Sequence, residues 1–129
     1  MEIVIELDGF DIPKTNREGK GKNCIFFPMT YCVVDIETTG LSPEWDDIIE
    51  IGAIRYSNGN EVDRFQSLVQ PPISDDGTYI GKFIEELTGI TNEMLKDAPL
   101  PNSVIPAFSE FLGNDIILGY NVGFDVNFL

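Results

Sequence analysis

Histidine is absent from this chain of 129 residues, and basic side chains are scarce. Without histidine, these residues can form neither an imidazole zinc site nor a histidine general base. Eight lysines and arginines stand against 22 acids, which gives a formal net charge of −14 at pH 7. That balance excludes the long basic groove from which most nucleic-acid binders gain affinity. Any contact with a polyanion must therefore be short and mediated by metal ions.

Cysteine and long apolar runs are also scarce. The two cysteines, Cys24 and Cys32, are eight positions apart, and we expect both to be free thiols. No apolar run approaches the roughly 20 residues of a membrane span, and the first residues do not resemble a signal peptide. The sequence therefore predicts one cytoplasmic domain without a membrane segment.

Two carboxylates directly follow the apolar pair Val33 and Val34. Asp35 and Glu37 are two positions apart, so on a strand they project from the same face, with Cα atoms about 6.6 Å apart. Ile36 points to the opposite face, into a core. Carboxylates within a sheet are costly unless they are paired or bind metal, and both side chains can reach one divalent ion. We interpret the pair as a metal site.

The hydrophobic pattern predicts an α/β domain over residues 31–129. Its first three strands form an antiparallel meander, because an Asn-Gly turn signal separates the second from the third. A fourth strand follows a helix and is expected to lie parallel to the first and beside it. Residues 1–30 read as an N-terminal extension that adds a β-hairpin or lengthens the first strand. The predicted strands are 31–37, 48–56, 62–69 and 115–118, and the predicted helices are 83–87, 92–95 and 103–112, with a last helix around Asp125.

Asp125 has two interpretations on sequence alone. An acid in the first turn of a helix is favoured by the helix dipole and is a common arrangement. Alternatively, the turn after the fourth strand brings Asp125 to the carboxyl end of the sheet, where ligands gather, beside Asp35 and Glu37. Spacing does not decide between these two roles.

Three segments of the chain resemble the DEDD 3′–5′ exonucleases, a family that includes the proofreading subunit of bacterial DNA polymerase III. The first comprises residues 33–41 with 48–53, which read VVDIETTGL and IIEIGA. The second comprises 88–95, TGITNEML, and the third comprises 119–129, GYNVGFDVNFL. The resemblance implies a ribonuclease H-like mixed sheet with flanking helices, and hydrolysis of nucleotides from single-stranded DNA or RNA 3′ ends. A DNA polymerase is an expected partner.

The same resemblance implies roles for individual residues. Asp35 would bridge two Mg²⁺ or Mn²⁺ ions, Glu37 would bind one of them, and Asp125 would hold the other. These three residues are thus the expected catalytic carboxylates. The expected contacts to the terminal nucleotide come from both ends of the domain: Thr38, Thr39, Gly40, Leu41, Asn121 and Phe124.

The chain departs from the family pattern in two places. Tyr120 occupies a position where the family commonly has histidine, and the third family motif, a histidine and an aspartate, is absent. We therefore expect residues 31–129 to be the first two thirds of an exonuclease domain, C-terminally truncated and inactive alone. The fourth strand would then have an open edge, and apolar surface from Phe124, Phe128 and Leu129 would be uncovered.

Two alternatives remain open. One is a catalytically incomplete module that binds a nucleic-acid end or a polymerase. The other, less favoured, is a phosphatase of the haloacid-dehalogenase type, whose strand carries two aspartates and forms an aspartyl-phosphate. Glu37 fits that second pattern poorly, and an antiparallel meander does not suit its α/β crossover.

Overall fold

A computed structural model describes residues 4–6, 29–119 and 127–129 of the chain. Its elements agree in type and order with those predicted, and most bounds shift by one or two residues. The N-terminal strand and the first two helices are short. In chain order the elements are β1 (Val4–Glu6), β2 (Thr30–Thr38), β3 (Ile48–Ser57), β4 (Asn60–Leu68), α1 (Lys82–Thr88), α2 (Asn92–Lys96), α3 (Pro101–Leu112) and β5 (Ile116–Gly119).

The strands form one mixed sheet in the order β1-β5-β2-β3-β4. Strands β2, β3 and β4 pair antiparallel, whereas β5 pairs parallel with β2, with Val33 opposite Leu118. The predicted topology of the four core strands is therefore confirmed. Asn58 and Gly59 both have positive φ, as the tight turn between β3 and β4 requires.

The position of β1 was not anticipated. Val4–Glu6 pairs in parallel with β5, from Val4 opposite Ile117 to Glu6 opposite Gly119. The expectation of an open edge along the fourth core strand was therefore wrong, because β1 occupies that edge. The segment 24–27, the other strand of the predicted hairpin, lies outside the described residues, so the hairpin stays a prediction.

The main core lies between the sheet and α3. Alternate residues of β2, namely Cys32, Val34 and Ile36, are buried against Val104, Phe108 and Leu112 of α3. Their spacing of four along α3 is the apolar stripe that predicted this helix. Gly113 caps α3 with positive φ, and Ala107, on another side of the helix, is exposed.

A second apolar cluster holds the two short helices. Ile80, Ile90 and Leu95 are buried with Ile49 of β3. The side chain of Asn92 accepts hydrogen bonds from the backbone amides of Tyr79 and Ile80 and donates one to the carbonyl of Ile80. The segment 88–95 therefore includes the connection between the two short helices, where Gly89 ends α1 and Thr91 caps α2.

Near the C-terminus, Asn127 and Phe128 are helical, and Phe128 packs half-buried against the main core. The expectation that Phe128 would be uncovered was therefore wrong. Leu129 is exposed, and Phe124 lies outside the described residues. None of the helices in the described part of the chain is long and apolar enough to cross a bilayer.

One end of the sheet carries a neutralised polar cluster, which we call the arginine cluster: Cys32, Arg55, Asp63 and Asp115. Arg55 Nε donates to Asp115 Oδ2 at 2.7 Å, and Arg55 Nη1 donates to Asp63 Oδ2 at 3.2 Å. A third guanidinium nitrogen donates to the carbonyl of Phe111 at the end of α3. Arg55 therefore joins α3 to strand β4 and to the residue preceding β5.

Cys32 completes the arginine cluster. It is a free, buried thiol that donates to Asp115 Oδ2 at 3.3 Å. Burial, followed by the hydrogen bond to Asp115, raises the pKa of the Cys32 thiol to about 11. The free state predicted for Cys32 is confirmed, whereas Cys24 lies outside the described residues.

Candidate active site

Asp35 and Glu37 lie on the face of β2 opposite to α3, as the period-two argument predicted. Val34, which precedes the pair, and Ile36, which lies between its members, are buried in the core. Asp35 is exposed and Glu37 is half-buried. The strand thus presents both carboxylates on one surface, near the end where the chain leaves β2. Core packing of their neighbours fixes the orientation of this pair.

A third carboxylate faces the pair from the neighbouring strand. Glu50 of β3 is directly opposite Glu37, and Gly52 is opposite Asp35. Glu50 lies within the family segment 48–53 but is not among the site residues that the sequence predicted. The available signal was an acid within an apolar strand, but its partner depends on the register, which shifts between Glu37 and Thr38. We call Asp35, Glu37 and Glu50 the carboxylate cluster.

The electrostatics of the carboxylate cluster show negative charge without compensation. Burial raises the pKa of Glu37, and the charges of Asp35 and then Glu50 raise it further. None of the ion pairs among residues 29–119 includes a member of the cluster. The ionised form of Glu37 is therefore less favourable at this site than it is in water.

A shallow depression of about 260 Å³ opens beside Asp35 on this face. It exists because Gly52 has no side chain opposite Asp35, so neighbouring side chains form its walls. Arg64 reaches the depression, but its guanidinium is paired with Glu61 at 2.8 Å. The walls are formed mainly by Val33, Ile54, Arg64 and Gln66.

The loop that follows β2 carries four predicted substrate contacts. Thr38 donates its hydroxyl to the carbonyl of Gly40 at 2.6 Å, and the Thr39 amide donates to the carbonyl of Asp47 at 2.9 Å. A Cβ at Gly40 would clash with the carboxylate of Asp46, so a larger residue there would displace that side chain. Leu41 is 83% exposed. Whether these residues contact a nucleotide stays a prediction.

The three remaining predicted site residues, Asp125, Asn121 and Phe124, lie in 120–126, outside the described residues. Strand β5 ends at Gly119. Because β5 is parallel to β2, it ends at the same end of the sheet as the part of β2 that carries Asp35. Within the described part of the chain, no group of three His, Cys, Asp or Glu has the geometry of a metal cage. Asp125 as a third ligand therefore stays a prediction.

The donors that are present suit a hard divalent cation. Asp35 and Glu37 offer only carboxylate oxygens, which Mg²⁺ and Mn²⁺ prefer, and the site has no sulfur or imidazole donor among the described residues. The like charges of Asp35 and Glu50, which with burial raise the pKa of Glu37, are charges that a divalent cation would offset. The residues fit a magnesium-type site and do not fit a zinc site of the sulfur or imidazole kind.

The arrangement does not suit the phosphatase alternative. In the chain, β2 leads through a loop directly into its antiparallel neighbour β3, with no crossover helix. The apolar strand carrying Asp35 therefore belongs to a meander, and the residue two positions later is a glutamate.

Comparisons with known proteins agree with this geometry. The model of the exonuclease family RNase_T matches residues 32–129. The DNA polymerase III PolC-type protein of Caldanaerobacter subterraneus is 46% identical over 129 residues, which is 100% of this chain and 9% of the relative. The chain thus spans less than a tenth of that relative's length.

Two solved structures share the fold. The "ExoI/SSB-Ct complex" superposes with a TM-score of 0.64 at 26% identity, covering 77% of this chain and 22% of that one. The nuclease domain of 3'hExo, a DEDDh family member bound to rAMP, has a TM-score of 0.56 at 25% identity, covering 70% of this chain and 51% of that one. Fold, carboxylate strand and family model thus converge, and the chain belongs to the RNase_T family of DEDD exonucleases.

Proposed function

We propose that this chain forms the metal-binding part of a 3′–5′ exonuclease of the proofreading type, which acts on single-stranded nucleic-acid ends in association with a DNA polymerase. The single observation that carries the proposal is the pair Asp35 and Glu37, presented together on an open sheet face without a compensating cation. The PolC-type relative supports the link to a polymerase. A cytoplasmic location stays a prediction.

The roles of the residues follow from their charges and positions. Asp35 and Glu37 would hold divalent ions, with Asp125 as the proposed third ligand. When bound, two such ions neutralise phosphoryl oxygens and lower the pKa of water. Glu50 faces Glu37 and raises its pKa, which favours ion binding by increasing the cost of an empty site.

The loop after β2 is proposed to position the 3′-terminal nucleotide. Its backbone is held by Thr39 and Asp47, which exchange two hydrogen bonds, each of 2.9 Å. Exposed Leu41 would then contact the terminal base, with Asn121 and Phe124 as contacts from the other end of the domain. This loop would place the scissile phosphate over Asp35 and Glu37.

The first prediction tests the carboxylates in the full-length protein that contains this chain. Asp35→Ala should lower Mg²⁺-dependent release of mononucleotides from a 5′-labelled oligonucleotide by about 10²-fold or more, because metal stabilisation of transition-state charge is worth several kcal/mol. The matched control is Asp75→Ala, an exposed acid in a turn far along the chain from the site. If Asp35→Ala keeps turnover within a few-fold of wild type, the site assignment is wrong.

A second candidate function is end binding without cleavage. The observation that favours it is that none of the 129 residues is a histidine, the residue type that the resemblance implies as general base. If the full-length protein binds a 3′ end only with divalent cation yet releases no nucleotide, this function replaces the exonuclease.

A further inference from the structure

The loop between β2 and β3 displays the one tryptophan of the chain to solvent. Trp45 is 83% exposed, as is Leu41 four residues before it. The loop joins the end of β2 that carries Glu37 to the start of β3, so Trp45 belongs to the segment at the same end of the sheet as the carboxylate cluster. Trp45 and Leu41 are thus two large exposed apolar side chains on the loop that adjoins the candidate active site.

The loop is internally braced. The Asp46 carboxylate accepts a hydrogen bond from the Ser42 amide at 2.9 Å and one from the Thr39 hydroxyl at 3.3 Å. The amides of Trp45 and Asp46 donate to the carbonyl of Ser42 at 3.2 and 2.8 Å. Trp45 therefore projects from a backbone that is already ordered, so a partner that stacks on it does not have to order the loop first.

The charge of the loop selects which part of a nucleic acid could contact it. Besides Trp45 the loop carries Glu44, Asp46 and Asp47 and no basic residue. These acids repel phosphates, whereas an indole face accepts any uncharged base. Of the four described cations, Arg55, Arg64 and Lys82 are paired with acids and Lys96 lies on α2, so stacking is the main attraction that this loop itself offers a single strand.

We propose that Trp45 is a stacking platform for a base of the single strand whose 3′ end lies over Asp35 and Glu37. The inference rests on the proposed function and extends it, because it assigns binding affinity to an aromatic side chain on an acidic loop. It predicts a preference for unpaired bases over duplex, since a paired base cannot offer its face to the indole.

Intrinsic fluorescence tests this directly, because Trp45 is the sole tryptophan. The 129-residue chain is titrated with a ten-residue oligothymidylate in Ca²⁺, a hard cation that carboxylates bind. Saturable quenching is expected with the oligothymidylate, and none with an abasic oligomer of equal length. Equal quenching by the two oligomers, or no response to either at millimolar concentration, would overturn the proposal.

Variants separate stacking from the other contacts. By anisotropy of a labelled oligothymidylate, Trp45→Ala should weaken binding about 5- to 100-fold, and Trp45→Phe by about threefold or less. The control Phe83→Ala removes an aromatic that is 72% exposed on α1 and should bind as wild type. An unchanged melting temperature shows that Trp45→Ala is folded. Wild-type affinity of Trp45→Ala would sink the proposal.

The failure of this inference is distinguishable from the failure of the proposed function. Nucleotide release that depends on Asp35 while Trp45→Ala binds and cleaves as wild type would refute stacking alone. Base-dependent quenching of the 129-residue chain, together with no nucleotide release by the full-length protein, would refute the exonuclease alone. If Trp45→Ala instead abolishes a complex with a protein and leaves oligonucleotide binding intact, the platform serves a protein and the inference is wrong.

Discussion

Acidic side chains at the two ends of the sheet have opposite electrostatic surroundings. On the α3 face, the arginine cluster surrounds Asp115 with a guanidinium at 2.7 Å and a thiol at 3.3 Å. On the opposite face, the carboxylate cluster places Glu37 beside Asp35 and across from Glu50, with a raised pKa. The chain supplies its own cation where the acid serves stability. It leaves the cation to solution where the acid serves the proposed chemistry.

The largest expected effect on stability comes from removing the cation of the arginine cluster. Arg55→Ala removes the ion pair to Asp115, the hydrogen bond to Phe111 and the contact of the guanidinium with the Phe111 ring at 4.4 Å. It also leaves half-buried Asp115 without its cation. We expect urea unfolding to report a loss of about 2–4 kcal/mol.

Arg64→Ala is the matched control for that experiment. Arg64 lies on the adjacent strand and its pair with Glu61 is exposed on both sides, at 59% and 41%. Its loss should cost less than about 1 kcal/mol. Equal effects of the two substitutions would mean that the arginine cluster does not hold α3 to the sheet.

A second experiment compares neutralising one acid at each end. Asp115→Asn removes the charge of the nearer of the two carboxylates paired with Arg55 and should destabilise the chain by about 1–2 kcal/mol. Glu37→Gln should instead stabilise the chain in EDTA at pH 7.5, because it removes a charge that Asp35 and Glu50 repel. The melting temperature should rise by about 1–4 °C after allowance for solvent screening. The measurement is thermal unfolding followed by circular dichroism.

The pH dependence of the Glu37→Gln effect has a defined sign. The pKa of Glu37 is raised in the folded chain, so the folded state binds its proton more tightly than the unfolded state. Its contribution to stability is fully present below the unfolded pKa and is lost as pH rises through the folded pKa. The gain from Glu37→Gln should therefore vanish at about pH 3.5, which lies below the usual glutamate value. A gain that persists there would point to packing instead of charge.

The smallest expected effect sharpens the assignment of the carboxylate end. Mg²⁺ at about ten times its dissociation constant should stabilise the wild-type chain by about 1.4 kcal/mol at pH 7.5, through binding to the folded state alone. Glu37→Gln should lose most of this shift, and Asp115→Asn should keep it, since Asp115 lies in the other cluster. Because ligands bind as carboxylates, the shift should fade as pH falls through the raised pKa of Glu37. An equal Mg²⁺ shift in Glu37→Gln would remove Glu37 from the site.

Local pattern in the sequence determined most of the fold and part of the site. Period-two alternation put Asp35 and Glu37 on one face, the Asn58-Gly59 pair fixed the β3–β4 turn, and Gly113 marked the end of α3. Each depends on neighbours within a few residues, so the backbone and side-chain rules apply directly. The crossover rule placed the fourth core strand parallel to the first and beside it. The family resemblance implied the ribonuclease H-like type of the sheet.

Only the tertiary structure decided which distant residues meet. Arg55 and Asp115 are 60 residues apart, Glu50 faces Glu37 in the register of β2 with β3, and Val4–Glu6 pairs with the far strand β5. No periodicity encodes such pairs, because they depend on strand register and on which edge remains available after the core has packed. The charges at both ends were visible in the sequence, but which end would be neutralised was decided by packing, which brought Arg55 to Asp115 and no cation among the described residues to Glu37.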